Sequence, residues 1–127
     1  MKQIVLLITL ASTLIAASAF KALSIDSVIS ALRTGNATEL ARHMDETVDL
    51  SLPDRSDNYS KAQAVLILKD FFTRNGVNGF DVKHKGENGG NQFCIGFLQT
   101  KAGQYRTTVF MKAEGGKHLI KEIRFQP

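Results

Sequence analysis

Residues 80–126 constrain the fold most, because four strand-like segments follow one another there with only turns between them. Phe80, Val82 and His84 alternate with Asp81, Lys83 and Lys85, the period-two pattern of a strand. Residues 92–100, 104–113 and 118–126 continue the series, and Leu119, Ile123 and Phe125 share one side of the last segment. The connections are residues 86–91, Lys101-Ala102-Gly103 and Glu114-Gly115-Gly116-Lys117. A parallel neighbour needs a crossover of about a dozen residues or more, and none of these connections is that long. The four segments therefore predict an antiparallel meander.

A meander has two faces, and the preceding residues supply what covers one of them. Ile25, Val28, Ile29 and Leu32 fall at i, i+3, i+4 and i+7, the stripe of an amphipathic helix, with Ser24 placed to cap it and Gly35 to end it. Asn36, with Glu39 three residues on, predicts the cap of a second short helix over 37–44, with Ala37, Leu40, Ala41 and Met44 facing inward. Residues 47–52 alternate as a strand, and 53–58 read as a polar loop. Ser60 predicts the cap of a third helix over 61–75, whose stripe is Ala64, Val65, Leu68, Phe71 and Phe72, and Asn75-Gly76 ends it. The order is α-α-β-α-β-β-β-β, an α+β chain with its helices packed on one face of a curved antiparallel sheet.

The N-terminus carries a different signal. After Met1-Lys2, residues 4–19 hold no charge, and Ala17-Ser18-Ala19 precedes Phe20 as a small-residue cleavage site. This predicts a signal peptide over 1–19, a single domain over 20–127, and an exported protein in the periplasm or outside the cell. The uncharged stretch is short of the roughly 20 residues of a membrane span, so no stable span is expected after cleavage. The one cysteine, Cys94, sits in Phe93-Cys94-Ile95 and reads as a small core residue. Charge is uneven: residues 80–127 hold eight Lys/Arg against four Asp/Glu, and residues 20–79 hold seven against eight. The basic residues are spread singly along strands and do not form the dense patch with stacking aromatics that nucleic acid requires. No nucleic-acid partner is expected.

This order of elements resembles the nuclear-transport-factor-two-like, or cystatin-like, fold, a cone in which a curved sheet wraps around the first helix. More closely, Ala31-Leu32-Arg33-Thr34-Gly35-Asn36-Ala37, Tyr59-Ser60-Lys61-Ala62-Gln63-Ala64, Leu68-Lys69-Asp70-Phe71-Phe72, His84-Lys85-Gly86, Tyr105-Arg106 and Leu119-Ile120-Lys121-Glu122-Ile123-Arg124-Phe125 resemble an uncharacterised family of small exported Bacteroidetes proteins, a domain of unknown function. That resemblance implies the cone fold and export. It supplies no catalytic residue.

Some cone-shaped proteins catalyse proton transfer beside a carbonyl in the mouth of the cone. Here that chemistry would use Asp81 or His84 as base, His84 being placed toward the helices by its face with Phe80 and Val82, and Tyr59 or Tyr105 as oxyanion donor. Asp81 falls on the opposite, wetter face. Tyr59, Lys61 and His84 are the candidate ligand-binding residues, Lys61 because a helix N-terminus can hold an anion. The plainer account gives Ser60 a capping role, Tyr59 packing before the cap, and His84 a place at the sheet margin. His43, His84 and His118 lie on three separate elements, and neither a metal site nor a cofactor is expected. Residues 86–91 lack the strand-to-helix context of a phosphate loop and read as a hairpin turn.

Two functional readings follow. The first is a non-enzymatic binding or protein-interaction domain of the bacterial envelope, whose partner is an envelope protein, a small apolar ligand or a second copy. A homodimer through the open sheet face would use Phe93, Ile95 and Phe97 against Val109 and Met111. The alternative is a small-molecule isomerase or dehydratase working in the cone.

Overall fold

The computed structural model describes residues 24–127; the predicted signal peptide and residues 20–23 lie outside them. Helix α1 (Ser24–Thr34) buries Ile25, Val28, Ile29, Ala31 and Leu32. Its end is a Schellman turn: Gly35 takes φ +63°, its N–H donates to the Leu32 carbonyl, and the Asn36 N–H reaches back to Ala31 at 2.8 Å. Asn36 Oδ1 then accepts from the Glu39 N–H and caps helix α2 (Ala37–Ala41).

Helix α2 is shorter than its apolar stripe predicts. The chain turns at Arg42-His43, and Met44 opens strand β1 (Met44–Leu52), buried opposite Ile120. Met44 fits a helical stripe and a strand face equally well, and pairing with a central strand decides between them. A register shift between Met44 and Asp49 takes up the polar residues Asp45, Glu46 and Thr47, after which Val48, Leu50 and Leu52 point inward.

Residues 53–58 are not a loop. Pro53-Asp54 is a two-residue turn, and strand β2 (Arg55–Ser60) pairs antiparallel with β1 from Leu52↔Arg55 to Thr47↔Ser60. β2 is an edge strand, exposed along most of its length, so it has no apolar alternation to display. Polar cross-strand pairs support it: Asn58 Nδ2 donates to Asp49 Oδ1 at 2.7 Å, and the hydroxyls of Ser51 and Ser56 meet at 2.8 Å. Helix α3 (Lys61–Asn75) follows at once. Its capping box is complete, with Ser60 Oγ accepting from the Gln63 N–H and Gln63 Oε1 accepting from the Ser60 N–H.

The meander is β3 (Val77–Asn88), β4 (Asn91–Thr100), β5 (Gly103–Glu114) and β6 (Lys117–Gln126), antiparallel throughout. The sheet order is β2-β1-β6-β5-β4-β3. β1 therefore joins the meander beside β6, in parallel, and the six-stranded sheet is mixed where a purely antiparallel one was expected. The three helices cover its inner face. A buried tie fixes the first of them, since the Gln92 side chain on β4 accepts from the Ile25 N–H at 2.9 Å and donates to Glu87.

Candidate functional site

The inner face of the sheet is a packed core. Phe125, 1% exposed, lies 5.0 Å from the Phe71 ring and 6.0 Å from Phe72, and Tyr105 meets Phe71 edge-on at 5.2 Å. Cys94, Leu98, Val109, Met111, Ile120 and Ile123 complete the sheet's contribution. Gly96 shows how close this packing is: a Cβ there would stand 2.3 Å from the Asp81 carbonyl oxygen and 2.8 Å from the Phe80 ring. Burial pushes the Cys94 thiol up to about 12, partly opposed by a hydrogen bond from the Val109 backbone, so Cys94 is an inert core residue.

The residues proposed for cone chemistry do not converge. The alternation that places His84 with Phe80 and Val82 is broken by a bulge between Val82 and His84. Val82 pairs with Gly96 on the inner face, but His84 pairs with Ile95 on the outer one and is exposed. The same bulge brings Lys85 to the helix side, where its Nζ donates to Asp26 of α1 at 2.7 Å. Tyr105 is on the inner face with its hydroxyl donated to Asn75 Oδ1 at 2.8 Å, and Tyr59 packs against the core beside Val48. Lys61 is exposed at the start of α3. His84 and the two tyrosines thus stand on opposite sides of the sheet. What opens beside Tyr105 is a recess of about 270 Å³ lined by Pro53, Asp54, Phe71, Arg74, Asn75 and Tyr105.

The outer face differs in kind. Phe93, Ile95 and Phe97 alternate with the buried Gln92, Cys94 and Leu98 and are only half-buried. Val109 and Met111 are fully buried on the inner face, so they cannot share a surface with those three as expected. The β5 residue that does is Phe110, 38% exposed and directly opposite Phe93. Pairing lays these side chains in rows across the strands. Asp81, Phe97 and Arg106 form one row, His84, Ile95 and Thr108 the next, and Gly86, Phe93 and Phe110 the third. The Phe93 ring lies so close over Gly86 that a Cβ there would approach it to 2.8 Å. Asp81 accepts from Gln99 Nε2 at 3.0 Å, and Arg106 forms no ion pair among the described residues.

At the other end of the sheet Lys121, beside a register shift in β6, donates to Asp45 on β1 and to both oxygens of Glu114. Its hydrogen bond, helped by the Glu46 backbone N–H, holds the Asp45 carboxyl below its ordinary range. The two carboxylates hold the Lys121 ammonium above its own. Among the described residues no three His, Cys, Asp or Glu side chains are grouped to hold a metal ion, and no helix is long and apolar enough to cross a membrane.

Three helices on one face of a curved six-stranded mixed sheet make the nuclear-transport-factor-two-like fold. Residues 25–126 match the family described as Domain of unknown function (DUF4783), and the chain belongs to that family. A DUF4783 family protein from Bacteroides ovatus is 37% identical, with a TM-score of 0.75 over 79% of this chain and 91% of that one. Another from Bacteroides uniformis is 31% identical, with a TM-score of 0.78 over 82% and 96%. An NTF2-like protein of unknown function from Cytophaga hutchinsonii shares the fold at 15% identity, TM-score 0.58, over 86% and 95%. No curated protein matches the chain.

Proposed function

We propose that this protein is an exported, non-enzymatic interaction domain of the bacterial envelope that works through the outer face of its sheet, with a second copy of itself as the partner. The observation that carries the reading is the row Asp81–Phe97–Arg106. A twofold axis running along β4 stacks Phe97 on Phe97 and exchanges the flanks. Asp81 of each copy then faces Arg106 of the other, and Phe110 falls opposite the Phe93 ring over Gly86. An apolar centre with a self-complementary charged rim is what an isologous contact requires. The interior offers an enzyme less: aromatic rings fill it, and the Tyr105 hydroxyl is already committed to Asn75.

Sedimentation equilibrium of the purified protein tests the partner. A dimer that Phe97→Lys converts to monomer supports the reading, and a monomer at every concentration overturns it. Export is supported by the uncharged run ending in Ala17-Ser18-Ala19. N-terminal sequencing of the protein from the periplasm or medium should begin at Phe20; a cytosolic protein retaining residues 1–19 contradicts export.

A further inference from the structure

The parallel pairing of β1 with β6 has a chemical consequence at the end where both strands begin. Met44 pairs with Ile120, and the Ile120 N–H donates to the His43 carbonyl at 2.6 Å. The residues just before each pair are therefore set side by side: Arg42-His43 from the α2–β1 corner and Lys117-His118 from the β5–β6 hairpin. They line a cavity of about 360 Å³ with Ser24, Gly116 and Leu119, and no carboxylate lines it. Of the nearby acids, Asp45 and Glu114 are engaged with Lys121, and Glu39 stands at the edge of the cavity, paired with Arg42 through Nη1 alone at 3.3 Å. Lys117 forms no ion pair among the described residues. His43 Nε2 is buried without a hydrogen-bond partner, and the nearest Glu39 oxygen stands 3.7 Å away.

We infer that this cavity binds a phosphate-type oxyanion. Four nitrogen-bearing side chains from two elements suit a tetrahedral group whose oxygens point several ways better than a planar carboxylate, which offers two. The guanidinium of Arg42 and the ammonium of Lys117 supply charge, and His43 and His118 supply donors. Both cationic side chains are exposed, Arg42 at 73%, so the phosphate can be a free ion or part of a lipid headgroup. This site lies apart from the Phe97 row and does not depend on the dimer.

The test titrates inorganic phosphate into the purified protein at constant ionic strength, reading backbone amide shifts by NMR. Saturable shifts confined to residues 42–43 and 116–119 are expected, with affinity falling about tenfold in Arg42→Ala and again in Lys117→Ala. Lys83→Ala, on the bulge of β3, should leave the affinity unchanged and controls for net charge. Cosedimentation with vesicles of phosphatidylglycerol in phosphatidylcholine separates the sources. Vesicle binding that Arg42→Ala and Lys117→Ala abolish, with no response to free phosphate, assigns the site to a lipid phosphate. The inference is overturned if neither probe binds, or if Lys83→Ala weakens binding as much as the cavity variants do.

Discussion

The two faces of strand β4 are built from residues that look alike in sequence and behave differently in the fold. Cys94 and Leu98 are fully buried, one strand position away from Phe93, Ile95 and Phe97, which are only half-buried. The inner face meets three helices and closes on itself around Phe125. The outer face meets nothing within the described chain, yet it carries three phenylalanines and an isoleucine bordered by opposite charges. Aromatic content alone does not separate core from contact surface; what covers each face does. In this molecule the interior is filled by its own side chains, and the proposed recognition surface lies on the outside.

Substitutions that treat the faces alike should expose the difference. Phe125→Ala empties the centre of the ring cluster and should cost about 4 kcal/mol in urea unfolding. A loss below about 1 kcal/mol would mean that the cone is loosely packed and open to ligand. Gln92→Leu keeps the inner position apolar but leaves the buried Ile25 N–H without an acceptor. A loss of about 2 kcal/mol is expected, with faster hydrogen exchange in α1 than in the meander. Phe97→Ala on the outer face should cost about 1 kcal/mol or less in the monomer while weakening self-association. Equal destabilisation by Phe97→Ala and Phe125→Ala would erase the distinction between the faces.

Cys94 sharpens the same comparison through pH. Its ordinary value is 9.0 and the fold raises it to about 12, so the unfolded chain ionises first. The stability that comes from keeping the thiol neutral is complete below pH 9.0 and is lost as pH rises toward 12. A thiol-alkylating reagent at neutral pH should therefore react no faster than the protein unfolds. Rapid labelling of the native protein would place Cys94 outside the core.

Local grammar made much of this legible. The Gly35-Asn36 corner, the Ser60 cap and the three Gly-containing turns of the meander each declare themselves within a few residues, and they set the fold class. Features that depend on a neighbour were hidden. Strand β2 is polar on both faces because it is an edge, and its partner is visible only once β1 is in place. The bulge after Val82 leaves no mark in the alternation of Phe80, Val82 and His84, yet it sends His84 outward and Lys85 to Asp26. Arg42-His43 and Lys117-His118 are distant in sequence and meet only because β1 runs parallel to β6. Two basic dipeptides, one just before β1 and one opening β6, were the available signal, and that pairing is what gives it meaning.

The outer face as a self-complementary surface is the central claim, and a charge swap tests it most directly. Sedimentation equilibrium should be run on the unaltered protein, on Asp81→Arg and Arg106→Asp singly, and on the double variant. The account predicts a dimer for the unaltered protein, weakened association for each single variant, and recovery in the double variant, where the two charges have simply changed places. A monomeric unaltered protein, or a double variant no better associated than the singles, would contradict it.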